Sequence, residues 1–304
     1  MVSRVFRGAR GFMPSKDSPY YILGLGDLHV GSAFGLLPPT WGGFTPAQEW
    51  LWNQWLAMRA WAKGAIGGAP FTVVPNGDIL EGTKHPGEKT LDDLVSQCEA
   101  AETLLQPLCT DAVRSGGRVF VTRGTGAHNG NSRLEGMFSR LVGGEVCPTT
   151  GEYAPQYWRL RVYDTPIVVR HHSVRSGKAA GIQDLEELWL EHARGRNEIP
   201  EPVVLITSHL HTLGVQHDQR LGWAFRLPAW QLPTSYPHQR MPGKVMHATV
   251  GAVLLEIRPG GRLQYHRFER TMPLAEQVNL TFSAASGSNS RKRLESPSKS
   301  RRGS

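Results

Sequence analysis

Aspartate and histidine recur in this chain at positions that invite metal chemistry: Asp27 with His29, Asp78, His128, His171 with His172, and His209 with His211. Carboxylate oxygen mixed with imidazole nitrogen suits Mn, Fe or Zn, whereas calcium takes an all-oxygen shell. Two aspartates and four or more histidines exceed what one four- or five-coordinate ion needs, and they are about right for two. Two divalent ions roughly 3.5–4 Å apart generate a hydroxide nucleophile at neutral pH and clamp a phosphoryl oxygen during in-line attack. Hydrolysis of a phosphate ester by metal-bound hydroxide is the reaction such a set serves best. In both Asp27-Leu28-His29 and His209-Leu210-His211 the donors stand at i and i+2, which in an extended segment puts them on one face.

These residues need a frame that brings distant segments together, and the apolar pattern predicts one. Short strands are expected at 20–27, 71–78, 118–124 and 202–211, with hairpins over 158–172, turning at Asp164-Thr165-Pro166, and over 251–269, turning at a Pro-Gly-Gly. Helices are expected over 46–63, 90–114 (kinked or broken near Pro107), 131–142 and 178–194. Strands alternating with helices predict a layered α/β domain. Ligands bind at the carboxyl ends of strands in such sheets, and the Asp and His residues follow five successive predicted strands. No internal repeat is visible.

Five blocks now carry a resemblance: GDLHVG (26–31), NGDILEG (76–82), RGTGAH (123–128), HHS (171–173) and SHLHTLG (208–214). In order and spacing they resemble the calcineurin-like metallophosphoesterases, whose pattern runs D-x-H, GD, GNH, a single His, then G-H-x-H. The resemblance implies a four-layer α/β/β/α sandwich, two mixed sheets flanked by helices, with a dimetal site at the strand ends. It implies that Asp27, His29 and His211 hold one ion and that Asp78 bridges. His209 would hold the second ion together with His171 or His172, His171 being preferred because it directly ends its strand. His128 would be the catalytic residue, a general acid on the leaving oxygen or a stabiliser of the transition state. One block departs from the pattern. Thr125 stands where the family has an Asn ligand, and two extra residues precede His128. Thr125 or Asn129 is then the candidate second-metal ligand, or the second ion is held more weakly.

Around this set, Arg123 and His85 are candidate substrate contacts. Trp41, Trp50, Trp52, Trp55 and Trp61 read as core or partner-facing residues ahead of base-stacking ones. Arg194, Arg196 and the segment 236–240 are candidates for the cleft rim, and the segment 215–250 for a cap over it.

Composition bounds the rest. At 304 residues, 39% hydrophobic and 20% charged, with mean hydropathy −0.33, the chain is long enough to bury a core. Three cysteines without a CxxC spacing point to a reducing, cytoplasmic setting. No apolar run reaches the roughly 18–20 residues that span a bilayer, and residues 1–16 lack the apolar stretch of a signal peptide. The net charge of +8 is unevenly spread: +4 in residues 1–16, +5 in 291–304 and −1 in the remainder. The expected organisation is a basic N-terminal extension (1–17), a catalytic domain (18–282) and a disordered basic Ser-rich tail (283–304). Basic ends attract phosphates, which favours DNA or RNA phosphodiesters as substrate. A cyclic nucleotide or small monoester, and a non-catalytic scaffold of the same fold, are the alternatives. No membrane partner is expected.

Overall fold

The computed structural model describes residues 18–41, 44–83, 89–129, 133–173, 179–196, 201–233 and 249–272. The chain divides after Met272 into two units, and the second lies wholly outside the described residues. So do residues 1–17, His85, the segment 236–240 and the side chains of Asn129 and Arg196.

Nine strands form two mixed sheets among these residues. The first joins β1 (Tyr20–Leu25), β2 (Phe71–Pro75), β8 (Thr249–Arg258) and β9 (Arg262–Thr271) in the order β2-β1-β8-β9. The second joins β3 (Tyr157–Val162), β4 (Thr165–Arg170), β5 (Val203–Thr207), β6 (Gly214–Asp218) and β7 (Gly222–Arg226) in the order β3-β4-β5-β7-β6. The pairs β1-β2, β4-β5 and β5-β7 are parallel, so their carboxyl ends open on one side of each sheet.

Side-chain alternation writes the layers. In β1, Ile22 joins the apolar cluster between the sheets while Tyr21, Leu23 and Leu25 join the cluster beneath the helices. Strand β8 repeats the split, with Val253, Leu255 and Ile257 on one face and Val250, Ala252 and Leu254 on the other. Because both faces are covered, these central strands read as unbroken apolar runs. Helices α1 (Pro46–Ile66) and α2 (Leu94–Arg114) cover the first sheet; the four-residue α3 (Gly126–Asn129) comes next in the chain, and α4 (Arg133–Leu141) packs against α2. Among the described residues a single helix, α5 (Ala180–Arg196), covers the second. The architecture is a four-layer α/β/β/α sandwich.

Several boundaries differ from those expected. Residues 118–122 run beside β2 through isolated bridges at Val119 and Thr122 and not as a regular strand. Helix α2 passes through Pro107 without a break. The β3-β4 hairpin turns at Tyr163-Asp164, and Pro166 already lies in β4 opposite Arg161. Residues 214–226 form a hairpin that completes the second sheet. The tryptophans serve the core: Trp55 is buried edge-on against Trp230 with ring centres 5.2 Å apart, a pair worth about 0.5–1.5 kcal/mol beyond its area. Trp41, Trp50, Trp52 and Trp61 pack against the same cluster.

Candidate metal centre

The donors lie just past strand ends, and the loops after β1, β2 and β4 are each tied down from a helix by a buried polar side chain. From α1, whose N-terminus is closed by a Thr45–Gln48 capping box, Gln48 Nε2 donates to Ser32 O at 2.9 Å. From α2, Gln97 donates to Gly82 O and Leu91 O and accepts from Gly82 N. From α4, Glu135 accepts from Ile79 N (3.2 Å) and Gly124 N (2.6 Å). From α5, Asp184 accepts from Ser173 Oγ and pairs with Arg170. Leaving such buried N–H groups unmet costs about 1–3 kcal/mol each, so the loops are fixed by the packing that makes the fold.

The backbone at the site is strained. Among the described residues six non-glycines have positive φ, and five are Asp27, His29, Asp78 (φ 46° each), His209 (71°) and His211 (55°). Such residues cost roughly 1–3 kcal/mol each and persist only where the surroundings impose them. The strands end earlier than expected, at Leu25, Pro75 and Thr207. The i, i+2 donors therefore converge through alternating left-handed turns, with Leu28 buried between them, and not along an extended face. Gly77, at φ +74°, lies under the His171 ring, where a Cβ would come within 2.4 Å of Nδ1.

The donor atoms gather in two linked groups, Asp27–His29–His211 and His171–His172–His209, joined by Asp27–Asp78–His171. His29 Nε2 lies 3.3 Å from His211 Nε2, and His211 Nε2 lies 3.5 Å from Asp27 Oδ1. His171 Nε2 is 3.1 Å from Asp78 Oδ2 and 3.9 Å from Asp27 Oδ1. Metal bonds of about 2.1 Å set neighbouring donors roughly 3.0–3.4 Å apart; the His29–His211 and His171–Asp78 spacings fall in that range, His211–Asp27 lies at its edge, and His171–Asp27 is wider. The ring tautomers agree. His171 Nδ1 donates to Asn76 O at 2.8 Å and His29 Nδ1 to the Glu81 carboxylate at 2.9 Å, which turns both Nε2 lone pairs inward. Asp27 Oδ1 and His171 Nε2 are buried with no hydrogen-bond partner. Buried polar atoms are nearly always satisfied, and a divalent cation between these two would satisfy both.

Electrostatics follow the same logic. Burial alone would raise the Asp27 carboxyl, but the His211 and His171 rings outweigh it and hold it below the usual range. Asp78 is likewise held low, burial being overcome by the His171 ring 3.1 Å away. His171 is raised to about 9, since Asp78 and Asp27 outweigh its burial. His172 and His209 are lowered, first by burial and then by the charge on His171, and stay neutral as ligands must.

Around the donors, Thr125 donates through both N and Oγ1 to Asp78 Oδ1, at 2.7 and 2.9 Å. His128 Nδ1 donates to Glu81 O at 2.8 Å, and the His128 ring meets His29 edge-on, centres 4.5 Å apart. Arg123 is engaged by Glu152 at 2.5 Å. Two residues were not anticipated. Glu81 stands three residues past Asp78, bonded to His29 and 3.9 Å from His128. Gln231, from the loop after β7, donates to that same carboxylate at 3.2 Å. The i+3 carboxylate in NGDILEG was a readable signal; Gln231 had none.

No known sequence-family profile matches the chain, and no curated protein matches it in sequence. Solved structures do resemble its fold. Vacuolar Protein Sorting 29 from Cryptosporidium parvum is 13% identical with a TM-score of 0.40, over 84% of this chain and 100% of that one. A dimetal phosphatase from Danio rerio is 11% identical with a TM-score of 0.40, over 84% and 99%. The 5′-nucleotidase from Candida albicans is 9% identical with a TM-score of 0.40, over 84% of this chain and 52% of that one.

Proposed function

We propose that this chain is a metal-dependent phosphoesterase holding two divalent cations, Mn²⁺ favoured over Fe or Zn, between its two groups of donors. The observation that carries this reading is the convergence of four strand-end segments on linked donor clusters with buried, unsatisfied Asp27 Oδ1 and His171 Nε2. The order of the five blocks, resembling the metallophosphoesterases, supports it independently. Asp27, His29 and His211 would hold one cation; His171, His172 and His209 would hold the other; Asp78, grouped with Asp27 of the first set and His171 of the second, would bridge. When bound, the cations supply a nucleophile at neutral pH and neutralise charge growing on the phosphoryl oxygens.

The chain's own residues do the rest. Thr125 fixes the Asp78 carboxylate by donating to it, and Glu81 fixes His29. Because a carbonyl only accepts, His128 carries its proton on Nδ1 toward Glu81 O, which makes Nε2 the atom that exchanges a proton with the leaving oxygen. His128 is 14% and His211 36% exposed, while Asp27 is fully buried, so the ester approaches from the imidazole side.

Among phosphate esters we favour a nucleic-acid phosphodiester, on the strength of the basic residues in 1–16 and 291–304. The free cysteines support a reducing, cytoplasmic setting; burial pushes the Cys98 and Cys109 thiols up to about 12, which leaves them inert. The test is to purify the chain without chelator, measure metal per chain, and assay bis-p-nitrophenyl phosphate, DNA, RNA and cyclic nucleotides with Mn²⁺. About two ions per chain, turnover fastest on DNA or RNA, and loss of both metal and turnover in Asp78→Asn are expected. Absence of both metal and turnover overturns the reading; turnover fastest on cyclic nucleotides overturns the nucleic-acid assignment alone.

A further inference from the structure

A cavity of about 260 Å³ opens between the start of α5 and the second sheet, lined by Ser173, Asp184, Thr207, Leu213, Gln216 and Arg226 among others. Its position in the chain ties it to the metal centre: Ser173 follows His172, Thr207 lies two residues before His209, and Leu213 two residues after His211. The same two loops, after β4 and after β5, thus carry both donors and pocket wall. The wall's charges do not cancel. Asp184 is 1% exposed and already engaged by Arg170 at 3.2 Å and by the Ser173 hydroxyl. Arg226 is different. Its Nε donates to Thr212 O at 3.0 Å, and among the described residues no carboxylate pairs with its guanidinium. That group lies over Gly214, where a Cβ would come within 3.2 Å of Nη2, so a side chain at 214 would crowd it. Burial lowers the Arg226 pKa, with Asp184 partly opposing, yet a guanidinium stays charged at any physiological pH.

Resting on the phosphoesterase reading above, we propose that this pocket is a second-phosphate subsite. Arg226 would bind a phosphate on the substrate other than the one under attack, so the preferred substrates carry at least two phosphates. A planar guanidinium matches phosphate oxygens in pairs. The volume falls just under that of whole-ligand pockets, about 300–1,000 Å³, which suits a phosphate with its sugar. A nucleotide chain and a sugar bisphosphate share this chemistry.

The experiment compares kcat/KM on thymidine dinucleotide with and without a terminal 5′- or 3′-phosphate, and on fructose 1,6-bisphosphate against fructose 6-phosphate. Bis-p-nitrophenyl phosphate reports the metal centre itself. Calorimetry on the metal-loaded chain compares thymidine 3′,5′-bisphosphate with thymidine 5′-monophosphate. The expected result is a preference of about tenfold or more for the doubly phosphorylated member of at least one pair, matched in binding. Arg226→Gln should reduce that ratio to about one and Arg226→Lys keep part of it, with unchanged thermal unfolding showing that both variants fold. A preference confined to the dinucleotide identifies a nucleic-acid strand as the source, and one confined to the sugar a small bisphosphate. Turnover of bis-p-nitrophenyl phosphate with no preference in any pair, or a preference that survives Arg226→Gln, overturns the subsite and leaves the phosphoesterase reading standing. No turnover on any ester overturns both.

Discussion

The donors on the first sheet and those on the second sit in unlike surroundings. Asp27, His29 and Asp78 are 0, 2 and 2% exposed, and their loops are held by Gln48, Gln97 and Glu135 from three helices. His172 is exposed, His209 and His211 are partly so, and one helix braces that side. His171 belongs to the second sheet by chain and to the first by environment, since it sinks to 1% exposure over Gly77. The contrast separates two jobs. On the function proposed above, a sealed floor of two carboxylates and His29 would set where cations sit, and an imidazole rim would meet solvent and substrate.

Breaking the floor should therefore cost most. Asp27→Asn removes the buried charge that also accepts from His209 N at 3.1 Å. Activity should fall by more than the roughly 10–100-fold typical of losing an outer partner, with metal content falling in parallel by elemental analysis. Glu81→Gln keeps the shape but weakens the hold on His29, so loss in that 10–100-fold range is expected in Mn²⁺ titrations of activity. At the rim, His172→Ala should cost about tenfold or less and be recovered by raising Mn²⁺; a loss equal to that of Asp27→Asn would erase the distinction between floor and rim.

The gentlest probe is pH. In the metal-free chain His171 holds its proton up to about pH 9, so a cation binding there at pH 7 expels it, and affinity should rise with pH until about 9. The linkage sign follows. A raised histidine stabilises the metal-free fold fully below about pH 6.5, and that share is lost as pH climbs through 9. The lowered Asp27 and Asp78 contribute above about pH 4 and fail below it. Calorimetric titration in buffers of differing ionisation enthalpy counts the released protons; a count of zero at pH 7 contradicts this account.

Much of this was legible in the chain. The five blocks named every donor of the two clusters, because carboxylates and imidazoles grouped after apolar runs have few other uses. The local geometry was not legible. Asp27-Leu28-His29 looks like an extended strand end, yet three-dimensional closure imposes left-handed turns that no propensity announces. Gln48, Gln97 and Glu135 were invisible for a different reason: a polar residue on a helix reads as solvent face until the neighbouring loop is known. Arg123, a candidate phosphate contact by sequence, is paired with Glu152, 29 residues away, a partner no local pattern announces.

The left-handed backbone at Asp27, His29, Asp78, His209 and His211 makes this chain a compromise between durability and use. Glycine takes up that conformation without a steric penalty, so metal-free His209→Gly should melt later than its metal-free parent while binding cations less well. Selection for heat resistance alone would erode the centre one residue at a time.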